Sequence, residues 1–477
     1  MNEDTPFRVY AKGFTRDNTV SLSGENAHDQ WHSVRGGFRV DHVRGIDQFT
    51  LQGEGFSNAI GNTVNQHYLD VPVISNPIQI GRQDGGYMRF RWDRVLSDQS
   101  SLLFQAAYDR NHFRLLPITE FKAESVDIDF QHRFPLFDKH HLTWGGHYRV
   151  NHTKVADAEI VQFSPREKTN HFFSGFVRDE VALIPKYVLF SAGTRVDHND
   201  FTGVEIQPNA RLTWLPSSQN SVWIAISRAV RTPSRTETDA RLNTGYLPSL
   251  LGTSDLPVSI LGVLYGNSNF DSEKLLAYEL GYRHQFSSRA SVDIAGFVND
   301  YSHLRDFSFG ALALSSGLPQ HLVLPVLPNN KASALTYGFE VAADWKPLEK
   351  WRLQGNYSYL NIHTASSELF KSVDPIVGSA SKANPQHQLS FRSHYDITEK
   401  LELNLWLRYT SNISFYDIPS YVAMDAKLIW KPVRNVELFA VGQNLLSGSH
   451  REFESSGLSS VPTLIPRGVY VGAQWRF

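Results

Sequence analysis

From Leu401 to Tyr409 every second residue is apolar or aromatic, Leu401, Leu403, Leu405, Leu407 and Tyr409, while Glu402, Asn404, Trp406 and Arg408 fill the gaps. A period of two sends successive side chains to opposite faces of a strand. Nine residues in that pattern make a strand with one greasy and one wet face. The pattern returns at Val126, Ile128 and Phe130 against Asp127, Asp129 and Gln131, and at Leu276, Tyr278, Leu280 and Tyr282 against Glu279 and Arg283. At the C-terminus Val469, Val471, Ala473, Trp475 and Phe477 oppose Tyr470, Gln474 and Arg476. Strands of soluble sandwiches average five or six residues. Segments of about ten residues suit tilted crossings of a bilayer.

About twenty such segments are expected: 6–16, 30–42, 46–57, 84–96, 99–112, 121–134, 140–153, 168–184, 187–199, 204–216, 220–230, 274–287, 289–301, 325–347, 350–363, 384–397, 400–412, 420–431, 434–445 and 467–477. Connections such as PLFDK (135–139), IPK (184–186) and TEK (398–400) are short, and 58–83, 231–273, 302–324, 364–383 and 446–466 are long. A strict alternation of short and long connections is expected, short turns in the periplasm and long loops outside. The chain reads as an all-β protein, a transmembrane antiparallel β-barrel forming one domain over 1–477. Closure would pair every backbone group, which hydrocarbon demands. About twenty strands would enclose a lumen too wide for the barrel's own side chains to fill.

Composition narrows the rest. The 477 residues carry 46 Lys plus Arg against 48 Asp plus Glu, a net charge of -2, so no nucleic-acid footprint is present. There is no cysteine. No apolar run is long and clean enough for a transmembrane helix, and residues 247–266, the most apolar long stretch, contain Pro248, Gly252, Asp255 and Pro257. The start, MNEDTPFRVYAKGF, has no basic region followed by an apolar one, so no secretory leader is read there. Neither GxSxG, HExxH nor a phosphate-binding glycine loop occurs, and an enzyme is not expected. No cofactor or metal site is expected either.

Several stretches resemble the barrel of the TonB-dependent receptors: FRVYAKGFTRD (7–17), RGGFRVD (35–41), ISRAVRTPSR (226–235), SEKLLAYELGYR (272–283), TYGFEVAADW (336–345), MDAKLIWKPVRNVELFAVGQNLL (424–446) and GVYVGAQWRF (468–477). The resemblance implies an outer-membrane transporter for ferric siderophores or similar scarce nutrients, driven by TonB in an intact relative. It also implies 22 strands around a plug. Here the chain opens at what resembles the third strand, so the plug, the TonB-contacting box, the leader and two strands are expected to be missing together. The expected reading is a truncated gene, a mis-assigned start or a fragment, with a plugless diffusion pore or a non-functional fragment as alternatives. A phage or bacteriocin docking role is a further one. Two missing strands would leave open edges prone to aggregation.

Candidate ligand contacts fall in the long loop after ISRAVR, where Arg231, Arg235, Arg241, Tyr246 and Tyr265 offer cations and aromatic faces to an anionic, aromatic chelate. A solvated loop with rim arginines is the plainer reading of the same residues. Haem competes as a ligand because the chain has 19 histidines, but none lies between Thr232 and Phe270. Phe477 and Trp475 resemble the terminal signal read by the barrel-assembly machinery. Expected partners are outer-membrane lipid, that machinery and a small nutrient, with the chain as a monomer.

Overall fold

The computed structural model describes the chain except residues 1–4, 64–65, 69–70, 76–77, 117, 138, 159, 247–259, 316–320, 367–379, 454–461 and 476–477. Twenty long strands form the wall. In chain order they are β1 (Phe7–Arg16), β2 (Trp31–Arg44), β3 (Asp47–Thr63), β4 (Ile78–Ser97), β5 (Ser100–Leu115), β6 (Thr119–Leu136) and β7 (His140–Val155). They continue as β8 (Glu167–Ile184), β9 (Val188–Asn199), β10 (Gly203–Ser217), β11 (Asn220–Arg231), β12 (Glu273–Ser287), β13 (Ala290–Phe309) and β14 (Leu322–Leu348). The last six are β15 (Trp351–Ala365), β16 (His387–Thr398), β17 (Leu401–Thr410), β18 (Tyr421–Val433), β19 (Val436–Gln443) and β20 (Gly468–Trp475). Four short strands above the wall bring the sheet to 24.

Each wall strand pairs antiparallel with the next, from β1–β2 through β11–β12 to β19–β20. The turns on one rim are two or three residues long, at 45–46, 98–99, 137–139, 185–187, 218–219, 288–289, 349–350, 399–400 and 434–435. Such turns need backbone conformations that favour glycine, and Gly45 supplies one at φ 60°. The other rim departs from strict alternation. The connections at 116–118 and 200–202 are as short as the periplasmic turns, so β5–β6 and β9–β10 close as tight hairpins on this rim as well. Segment 58–83 is largely strand too, since β3 extends to Thr63 and β4 starts at Ile78.

Register fixes the faces. Leu403, Leu405 and Leu407 stand opposite Leu428, Ala426 and Met424 on one side, and Asn404 and Trp406 oppose Lys427 and Asp425 on the other. The outward face stays exposed although apolar, with Leu280 59% and Val471 78% accessible, as a surface meeting acyl chains should be. Its periplasmic margin carries Trp92, Trp214, Trp345, Trp351, Trp430 and Trp475, and its outer margin Tyr108, Tyr148, Tyr278, Tyr337 and Tyr409. These two aromatic rows mark the bilayer interfaces.

The lumen face is charged and internally neutralised. Arg39 grips Asp41 (2.7 and 2.9 Å), Arg91 grips Asp93 (both 2.6 Å), and Arg195 donates to Asp197 (2.8 Å), each pair two residues apart on one strand. One lumen contact is packing rather than charge: Trp223 lies over Gly281, where an added Cβ would overlap the indole, and Arg211 stacks on the same ring at 4.2 Å.

β1 runs outward and β20 runs back toward the periplasm, so the two terminal strands are antiparallel. Among the described residues no ladder joins them. Their side chains are correspondingly open, with Val9 72% and Trp475 68% exposed.

Candidate functional site at the outer face

Above the wall the connection between β11 and β12 folds back as a small sheet. Ala240–Tyr246 pairs antiparallel with Ile260–Tyr265, which in turn lies parallel to Leu322–Val326 at the head of β14. Val161–Phe163 adds itself to the other side, against Ala240–Leu242. This layer seals several of its hydrophobic groups almost completely. Val263 is 0%, Val326 2% and Phe270 2% exposed.

Charged groups bolt the layer to the wall. Arg231, the last residue of β11, donates from Nε to Glu273 Oε2 (2.7 Å) and from both terminal nitrogens to Glu237 (2.7 and 3.2 Å). Glu237 lies in a single helical turn, Arg235–Thr238, and also accepts from the Ser234 backbone N–H (2.8 Å) and hydroxyl (3.0 Å). This is the Ser-x-x-Glu pattern that ties a helix start to its third residue. Burial pushes the Glu237 carboxyl up, but the hydrogen bonds from Arg231 and Ser234 outweigh it and hold the group below the usual glutamate range.

Arg235 reaches the neighbouring hairpin. It donates to Thr153 Oγ1 (2.8 Å), to the Pro165 carbonyl and to Asp239 (3.1 Å), and its guanidinium lies over Phe163 at 5.0 Å. Asp239 also accepts from Lys168 (2.9 Å). Arg231 and Arg235 therefore spend their donors on the scaffold. Arg241 and Tyr265 face each other as a registered pair on the outer sheet, the guanidinium 5.9 Å from the ring, with Arg241 also donating to Gln162 (3.1 Å). The backbone of Tyr246 pairs with Leu261 in the same sheet, and its side chain lies outside the described residues. Glu237, Glu273 and Asp239 escaped the sequence reading, although SRTE (234–237) carries the capping pattern openly.

Below the layer, the lumen wall has a polar recess of about 310 Å³ that includes His147, Arg149, Asn151, Arg195 and Gln207. Arg149 pairs with Asp127 at 2.6 Å, and His147 lies 3.0 Å from the same carboxylate. Of the other histidines, His112 bonds Glu120 (2.8 Å), His140 bonds Asp179 (2.6 Å) and His32 bonds Thr15 (3.1 Å). Hydrogen-bonded in this way, they sit in the fabric of the wall.

A transmembrane meander with short turns on one rim and a folded layer on the other is matched by one family model, "TonB dependent receptor-like, beta-barrel", over residues 3–445. The chain belongs to that TonB-dependent receptor family. It is a protein of the bacterial outer membrane, in a family of receptors rather than enzymes. An iron-regulated outer membrane virulence protein of Vibrio cholerae is 22% identical over 411 residues, 83% of this chain and 56% of the relative. The chain thus spans about half the length of that curated relative. The siderophore receptor PirA of Acinetobacter baumannii superposes with a TM-score of 0.75 at 14% identity, over 100% of this chain and 76% of that one. The ferric enterobactin receptor PfeA of Pseudomonas aeruginosa gives 0.73 at 14%, over 100% and 76%. The copper transporter OprC gives 0.71 at 13%, over 100% and 79%. These likenesses are of fold.

Proposed function

We propose that this barrel receives a ferric siderophore, or a similar chelated scarce nutrient, at its outer face for TonB-dependent uptake. The observation that supports this reading most is the Arg241–Tyr265 pair. A cation and an aromatic face sit side by side on a rigid sheet above the lumen, the chemistry that suits an anionic aromatic chelate. Arg231 and Arg235 serve the same site indirectly by holding that sheet in place, and Tyr246 belongs to it by its position on the strand. PfeA has been solved in complex with enterobactin, and OprC is a copper transporter on a similar fold, so the fold by itself does not fix the ligand. The last strand, with Trp475 and with Phe477 beyond the described residues, is proposed as the assembly signal.

The test uses the purified chain in detergent and a ferric catecholate that quenches tryptophan fluorescence. Replacing both Arg241 and Tyr265 by Ala is expected to weaken binding about tenfold, equivalent to about 1.4 kcal/mol. Equal affinity in the double variant would overturn the assignment. A second reading, a passive pore, draws on the wet lumen wall. Large steady conductance in planar bilayers would favour it, and an electrically silent chain would remove it.

A further inference from the structure

At the opposite mouth of the lumen three groups with metal-binding chemistry meet. His394 and Asp396 on β16 and Glu402 on β17 each present one ligand atom, and these atoms lie within 4.8 Å of one another. Register puts all three on the lumen face, with His394 opposite Asn404 and Asp396 opposite Glu402, out of phase with the lipid-facing Leu403 and Leu405. The turn at 399–400 that joins the two strands is periplasmic, so the cluster sits at the inner rim.

The imidazole decides what the cluster can do. Nδ1 of His394 is hydrogen-bonded to the amide oxygen of Asn404. That contact leaves Nε2 as the ring nitrogen nearest the carboxylates, 3.4 Å from Asp396 Oδ1. A metal ion uses all three groups. An imidazole whose far nitrogen is fixed by a carbonyl oxygen is also the arrangement that orients metal-bound histidines. One nitrogen and two carboxylate oxygens suit a divalent transition ion such as Zn²⁺, Mn²⁺ or Fe²⁺, with water completing the shell.

We propose that His394, Asp396 and Glu402 bind a divalent transition-metal ion at the periplasmic mouth of the lumen, with Asn404 orienting the imidazole. Lys431 is the built-in competitor. Its ammonium contacts Glu402, so it neutralises that carboxylate when no metal is bound and must swing aside when one is. The site is independent of the reading given to the outer face.

The experiment titrates the whole, tag-free chain in detergent with Zn²⁺ against a chromophoric chelator. His394→Ala and Asp396→Asn should each lose one equivalent of Zn²⁺ relative to the unmodified chain. Asn404→Leu should keep the equivalent but weaken it about tenfold, and Lys431→Met should tighten it several-fold. Heat-modifiable migration on gels confirms that each variant is folded. The proposal is overturned if folded His394→Ala and Asp396→Asn bind as many equivalents, and as tightly, as the unmodified chain. It is equally overturned if Lys431→Met leaves the affinity where it was.

Discussion

The wall and the outer layer are built on opposite principles. In the wall nearly every side chain meets something outside the protein, hydrocarbon on one face and lumen on the other. Cohesion there comes from backbone ladders, and single side chains matter by which solvent they enter. In the outer layer the side chains meet each other. Val263, Phe270 and Val326 are sealed, and Glu237, 4% exposed, is held by Arg231 and Ser234. One region is specified by solvent, the other by partners, so substitutions in the two should fail differently.

The largest contrast is expected in the wall. Leu280 faces lipid between Ile224 and Gly296, whereas Ala225 faces the lumen opposite Glu279. Leu280→Arg should cost about 2 to 4 kcal/mol in urea unfolding from vesicles, while Ala225→Arg should stay within about 0.5 kcal/mol. Equal losses would show that the faces are misassigned. In the outer layer, Glu237→Ala leaves donors of Arg231 and Ser234 without their acceptor. Arg231 keeps Glu273 and is partly hydrated, so the expected cost is about 1 to 3 kcal/mol. It should appear as faster hydrogen exchange of Ala240–Tyr246 with no change in the wall strands. Slowed or unchanged exchange there would mean the ion pairs do not hold the layer.

The smallest expected effect depends on pH. The Glu237 carboxyl ionises more readily in the folded protein than in the unfolded chain. Its stabilisation is therefore complete above the ordinary glutamate range and is lost as pH falls through the lowered folded value. Exchange in the wild-type layer should rise toward that of Glu237→Gln only under such acid conditions. A difference between the two that stayed constant from neutral pH into strong acid would contradict the mechanism.

The same contrast explains what could be read in advance. Leu401 to Tyr409 announces its faces because the alternation is local, and twenty wall strands follow from that rule alone. Sequence also located the loop that carries Arg241 and Tyr265. It did not distinguish Arg241 from Arg231, because their difference lies in Glu237 and Glu273, the latter 42 residues away. The parallel pairing of Ile260–Val263 with Leu322–Pro325 is equally silent, since strand addition between distant loops leaves no period in either segment. His394 is a milder case: its strand was expected, but its ring is held by Asn404 across the ladder.

Among the described residues no ladder joins the flanks of β1 and β20, and this carries a mechanical consequence. A hydrogen-bonded hoop has a fixed circumference, because widening it means breaking a ladder along its whole height. Among the described residues the line between β1 and β20 carries no such lock, so along it the girth of the wall is held by curvature and packing on the other nineteen ladders. Unpaired amides in hydrocarbon cost several kcal/mol each, which makes that line the place where the molecule is most strongly driven to acquire a neighbour. The exposed rows Phe7, Val9 and Val469, Val471 stand on either side of it.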